Sequence, residues 1–86
     1  MTYRYITDAG HGWLEVPHFM IEKLGIRDKV SSYSFYNANN IYLEEDCDAG
    51  VFIKAHKKAM GKNPEYKETY QDNCFVRDLP NIRKGN

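Results

Sequence analysis

The sequence predicts a single α+β domain with elements in the order ββα-ββα-ββ, in which two helices pack on one mostly antiparallel sheet. Three observations predict it. Short runs of alternating apolar and polar residues are separated by turn residues. Two other stretches carry apolar residues at helical spacing and stop at a glycine. The chain has 86 residues and a mass of 10.1 kDa, enough for one hydrophobic core but not two.

The first hairpin joins Tyr3–Thr7 to His11–Val16, with Asp8-Ala9-Gly10 as turn residues. Pro17 suits the first turn of a helix, where its missing N–H costs nothing. Phe19, Met20, Ile21 and Leu24 then form an apolar stripe, and Gly25 takes the left-handed position after it, so the first helix spans 17–24. Val30–Asn37 and Asn40–Glu45 alternate around an Asn-rich turn and form the second hairpin. In the second helix Val51, Phe52, Ala55, Ala59 and Met60 face the core, Lys54, Lys57, Lys58 and Lys62 face water, Asp48 caps the start and Gly61 stops the end. Glu65–Gln71 and Cys74–Leu79 are expected as a last hairpin around Asp72-Asn73. The domain is expected over 1–80, with 81–86 as a frayed basic tail.

Composition excludes several roles. Twelve basic and twelve acidic residues give no net charge, so the chain is neither a polycation gripping nucleic acid by charge alone nor a polyanion mimicking it. Aromatic residues make up 14 %, which is unlike a disordered chain. No apolar run is long enough to span a membrane, and the first 20 residues lack the pattern of an export signal. Cys47 and Cys74 show no metal or redox spacing and, with no export signal, are expected as reduced thiols in a cytosol.

Few residues suggest chemistry. The run Glu44-Glu45-Asp46-Cys47-Asp48 is the strongest charge feature, either a carboxylate-decorated helix start or a surface for a basic partner. Its Asp46-x-Asp48-x-Gly50 opening resembles a calcium loop, but the glycine comes one position early and Lys57 stands where the bidentate Glu belongs. Asp8, His11 and His18 offer metal-type donors near the first hairpin, without any metal-binding spacing. Gly10-His11-Gly12 opens a strand and so reads as a turn rather than a phosphate loop. Ser31, Ser32, Ser34 and Cys47 are potential nucleophiles, but none lies in a nucleophile motif, and no catalytic residue, metal or cofactor is expected. The Lys54, Lys57, Lys58 and Lys62 stripe reads either as a solvated face or as phosphate contacts. Seven tyrosines, Tyr3, Tyr5, Tyr33, Tyr36, Tyr42, Tyr66 and Tyr70, exceed what a one-sided core needs, so several are expected on an uncovered sheet face.

Two resemblances follow from particular stretches. DAGHGWLEVP and YLEEDCDA, within residues 3–52, resemble a group of small uncharacterised phage- and plasmid-encoded proteins. That resemblance implies a mobile-element setting, where small motif-free domains bind and inhibit host or defence proteins in the manner of anti-CRISPR proteins. Residues 16–45 are similar to the swapped-hairpin transition-state-regulator and antitoxin family. Val16-Pro17, Leu24-Gly25-Ile26, Asp28-Lys29-Val30 and Ile41-Tyr42-Leu43-Glu44 occupy its positions, although Arg27 stands alone where that family has Pro-Gly before the Asp, and the basic N-terminal arm is missing. This second resemblance implies an interlocked homodimer contacting DNA through Arg4, Lys23, Arg27 and Lys29.

The leading expectation is a non-enzymatic protein-binding domain that meets a host or defence protein through Glu44, Glu45, Asp46, Asp48, Tyr33, Tyr36 and Tyr42. A DNA-binding regulator is the alternative, and a metal-dependent enzyme the third reading.

Overall fold

The computed structural model describes residues 1–82 as a five-stranded sheet with two helices on one face. The strands are β1 (Thr2–Thr7), β2 (Gly12–Pro17), β3 (Phe35–Tyr36), β4 (Asn40–Glu44) and β5 (Glu65–Tyr70), and the helices are α1 (His18–Lys23) and α2 (Ala49–Met60). Their order in the sheet is β3-β4-β2-β1-β5. All neighbours are antiparallel except β1 and β5, so the expected α+β class and mostly antiparallel sheet are what the chain adopts. Among the described residues, no helix is long and apolar enough to cross a membrane.

Local chemistry makes the hairpins. One carboxylate oxygen of Asp8 accepts the N–H groups of Gly10 and His11 at 3.0 and 2.9 Å, closing the β1–β2 turn. The Asn37 side-chain carbonyl does the same for Asn39 and Asn40, at 3.1 and 2.9 Å, closing β3–β4. Gly25 and Gly61 hold φ of +65° and +78° just beyond the two helices, the left-handed positions that favour glycine.

The first core lies under the helices. Tyr3, Leu14, Val16, Ile41 and Leu43 point to one side of the sheet and meet Met20, Ile21, Ile26, Val30, Ala49 and Phe52. Phe52 is fully buried, with its ring edge-on to Tyr3 at 5.2 Å between centroids. The buried stripe of α2 is Ala49, Phe52 and His56, so it is rotated from the expected one. His56 is the surprise: it is only 5 % exposed, and its Nδ1–H donates to the Lys62 carbonyl at 2.7 Å.

Two expectations about the middle of the chain are corrected. The strand expected over 30–37 is only Phe35–Tyr36, because a 3-10 turn at Arg27–Lys29 and turns around Ser31–Ser34 precede it. Serine side chains compete for backbone partners, and here Ser31 and Ser34 turn inward. Asp48 stands at the N-cap position of α2, but its side chain makes no capping hydrogen bond. Instead its carboxylate accepts the Ser31 N–H at 3.0 Å, the Ser31 hydroxyl at 2.8 Å and the Ser34 hydroxyl, and Ser34 Oγ in turn accepts the Glu44 N–H at 3.0 Å. That buried network fastens the 31–34 turn to β4 and to the start of α2.

The last hairpin is also not made. β5 pairs in parallel with β1 at the sheet edge, and α2 is the crossover that parallel placement requires. Residues 74–79 form no strand. A 3-10 turn at Phe75–Asp78 carries the chain across the other sheet face, and Phe35–Asn81 bridging and an Ile82 N–H to Ser34 carbonyl bond of 2.9 Å tie it to the β3 edge. Under this strap lies a second core of Ile6, Trp13, Tyr42, Cys74 and Val76, flanked by Phe35, Phe75 and Leu79. The uncovered tyrosine face is therefore corrected in part: the strap covers this face over β1, β2 and β4, whereas Tyr66 and Tyr70 of the edge strand β5 stay exposed. Asn81 and Ile82, expected in a frayed tail, are held by these bonds, and 83–86 lie outside the described residues.

Arg77 anchors the strap to the first turn. Its guanidinium donates to Asp8, with Nη2 to Oδ1 at 3.0 Å, and lies 5.4 Å from the centroid of the Trp13 ring. That guanidinium, helped by the Gly10 and His11 N–H groups, holds the Asp8 carboxyl well below the usual carboxylate range, against the opposing effect of burial. A group whose value is lower in the folded chain stabilises it above the unfolded value, near 4, and loses that contribution as pH falls further. Asp8→Asn should therefore lower the melting temperature at pH 7, and its gap from the natural chain should narrow between pH 4 and pH 2. A gap that stays constant with pH would mean that the Asp8–Arg77 pair does not hold the strap.

Candidate functional site

Two concave surfaces flank the 44–48 loop, and Cys47 belongs to the lining of both. The first is a pocket of about 380 Å³ at the β2–β4 end of the strap face. Its lining includes Trp13, Phe35 and Tyr33 as aromatic wall, Glu44 and Asp46 as acidic rim, His11, and Arg77, whose guanidinium is paired with Asp8 and lies over the Trp13 ring. β2 and β4 supply neighbouring rungs of this wall, because Trp13 and Glu44 are cross-strand partners.

The acidic side is well fixed. Glu44 Oε1 accepts the N–H groups of Asp46 and Cys47 at 3.0 and 2.9 Å, which folds the loop around that carboxylate. Glu45 Oε2 accepts the Tyr5 hydroxyl at 2.6 Å. Burial first, and Glu45 second, push the Tyr5 phenol well above its ordinary value, so it remains a donor across the neutral range. Gly12 permits this contact, since a Cβ there would sit 2.6 Å from the Tyr5 hydroxyl. His11, Glu44 and Glu45 bring donor atoms within 4.8 Å of one another, the one such metal-type group among the described residues. The hydrogen bonds to both carboxylates account for their placement in that group.

Trp13 makes the pocket unusual. It is 2 % exposed, and its Nε1–H is the one buried side-chain polar atom without a partner among the described residues. Such a group costs on the order of 1–3 kcal/mol and asks for an explanation.

The second surface is a groove of about 920 Å³ between α2 and the segment from the end of α1 through the 3-10 turn. Leu24, Ile26, Val51, Ala55 and Ala59 give it an apolar bed, and Lys23, Lys29, Lys54 and Lys58 are its charged residues.

The expected site residues divide accordingly. Tyr33, Glu44 and Asp46 meet in the pocket, and Glu45 adjoins it. Tyr33 is 66 % exposed, whereas Tyr36, also exposed, lies outside the pocket lining. Tyr42 and Asp48 are each only 2 % exposed, which corrects their assignment to a partner surface. The Tyr42 hydroxyl donates to Glu15 at 2.9 Å, and Asp48 belongs to the serine network. Sequence reasoning missed Trp13 and His11 as pocket residues because their strand pattern reads only as core and turn.

The DNA set does not form one surface. Arg4 lies on the strap face, where it makes two hydrogen bonds to Glu15 at 2.8 and 3.0 Å, and Arg27 pairs with Glu22 and donates to His18 Nδ1. Only Lys23 and Lys29 come together, in the groove. Asp8, His11 and His18 are not gathered either: Asp8 is held by Arg77, and His18 Nε2–H donates to the Asn37 carbonyl at 2.8 Å. Ser31 and Ser34 serve Asp48. Both cysteines are free, Cys74 in the second core and Cys47 exposed. Desolvation and the Glu44, Asp48 and Asp46 carboxylates push the Cys47 thiol up, the opposite of what activates a nucleophile.

Fold and surfaces together define a small α+β domain with an acidic aromatic pocket and a basic apolar groove. Comparison with protein-family models, curated proteins and solved structures returns no match to the chain.

Proposed function

We propose that this protein is a non-enzymatic binding domain that takes a basic segment of a partner protein into the Trp13–Glu44 pocket. One observation carries the reading: a buried indole N–H lacks an acceptor in the wall of a pocket that has carboxylates on its rim. A peptide with a Lys or Arg side chain offers the missing acceptor for the indole and a counter-charge for the rim. Its cation suits Glu44, Glu45 and Asp46, and a peptide carbonyl suits the Trp13 N–H once a small shift of the wall admits it. Aromatic rings beside carboxylates also favour a cation with an apolar stem. The resemblance to phage and plasmid proteins supports a host or defence protein as the partner, bound in the cytoplasm of a bacterium.

Trp13 is the sole tryptophan, so its fluorescence reports on the pocket directly. Short Arg- and Lys-containing peptides should change its emission saturably, and an acidic peptide should not. Asp46→Lys should weaken the response at least tenfold without lowering the melting temperature, because no hydrogen bond depends on that side chain among those described. Tyr33→Ala should act in the same direction. Emission indifferent to basic peptides, or equal binding by Asp46→Lys, would refute the reading. Glu44 is a poor choice for this test, since reversing its charge also removes the acceptor that shapes the loop.

A further inference from the structure

We infer that the lysine-lined groove beside α2 is a second interface, which receives an acidic amphipathic helical segment of a partner protein. The inference is independent of the pocket and starts from the wide apolar face of α2. Ala49, Phe52 and His56 are buried in the domain's own core. Val51, Ala55 and Ala59, at successive i, i+4 positions, widen this face toward the groove: Val51 and Ala55 pack against the core with one side and line the groove with the other, and Ala59 is exposed. Half-buried Leu24 and the rim of Ile26, which is 4 % exposed, continue the bed across the groove, so it has two walls.

Charge decides the occupant. Four lysines line the groove, and no carboxylate is among the residues lining it. Lys54 and Lys58 lie one turn apart on α2, while Lys23 and Lys29 face them from the other wall. In a chain with no net charge, this concentration of one sign is a property of the surface and not of the composition. Small residues deepen the bed. A Cβ at Gly50 would meet nothing within 4 Å, and Ala55 and Ala59 leave room for larger side chains to enter.

A helix laid in the groove would put an apolar face on the bed and acidic flanks against the lysines, the helix-in-groove mode of recognition. Single-stranded nucleic acid fits less well, because the lining offers no aromatic side chain on which bases stack. Duplex DNA would meet four lysines and leave the apolar bed unused.

The test uses the full chain, labelled with ¹⁵N, and three designed amphipathic helical peptides. They share one leucine face and carry Glu, Gln or Lys on its flanks. The Glu peptide should shift amide resonances in 23–29 and 50–59, and should lose at least tenfold in affinity both in Lys54→Glu/Lys58→Glu and on raising salt from 0.05 to 0.5 M. Both lysines are exposed, so the double variant should keep its melting temperature. Asp46→Lys should leave this binding intact, which separates it from the pocket. No localised shift with the Glu peptide at millimolar concentration would overturn the inference. So would equal binding of the Gln peptide, or tighter binding of duplex DNA at the same resonances.

Discussion

Asp48→Ala should cost about 3 kcal/mol or more, although the residue lies in the most acidic and seemingly solvent-facing run of the sequence. The carboxylate is buried and accepts the Ser31 N–H, the Ser31 hydroxyl and the Ser34 hydroxyl. Hydrogen bonds to a charged group are worth more than neutral ones, and removing the acceptor strands the buried Ser34 hydroxyl and leaves the half-buried Ser31 donors with water on one side only. In a domain of this size that loss corresponds to a fall of roughly 12–24 °C in melting temperature. Asp48→Asn keeps one oxygen but turns an amide NH₂ toward the serines, so about half the loss is expected. Asp46→Lys, two positions away, should change stability by no more than about 0.5 kcal/mol. Thermal melts of the three variants check the contrast. A mild Asp48→Ala would mean that the serine turn holds itself together.

Val76→Asp should be at least as severe. Val76 is fully buried in the second core with Ile6, Trp13, Tyr42 and Cys74. An unpaired carboxylate there costs several kcal/mol, a large share of the stability of a domain this small. The strap must then leave the sheet or the whole domain must unfold, and Trp13 emission should shift to the red in either case. Val76→Ala, which only trims the side chain, should cost roughly 2 kcal/mol and leave the emission nearly unchanged. Unshifted Trp13 emission in Val76→Asp would show that the strap is not what covers the indole.

The two variants mark where sequence reading stops. Asp48 sits just before a helical pattern, which is where a capping residue belongs, and local rules assign it to the cap. The acceptor is claimed instead by serines that are distant in sequence and brought near by the return of β4. The run Cys74–Leu79 alternates well enough for a strand, but a short apolar run has no period long enough to distinguish strand from strap. The candidate pocket was legible only in part. Glu44, Glu45, Asp46 and Tyr33 stand out as charge and as surplus tyrosine, whereas Trp13 and His11 lie in an ordinary strand and turn. The groove was split between two readings, with Lys54 and Lys58 in a helix face and Lys23 and Lys29 in a DNA-binding set.

Local chemistry along the chain sets the class of fold, both helices, the first two hairpin turns and the glycine stops. These depend on contacts within a few residues, where Asp8, Asn37, Gly25 and Gly61 act on their own backbone neighbours. Long-range packing sets the rest: β5 joins β1 in parallel, the last segment covers Ile6, Trp13 and Tyr42 on the second sheet face, and opposite charges gather on either side of Cys47. Each of these depends on which distant segments share a surface. Burial of the apolar faces of Ile6, Trp13 and Tyr42 sets that choice, and no spacing along the chain records it.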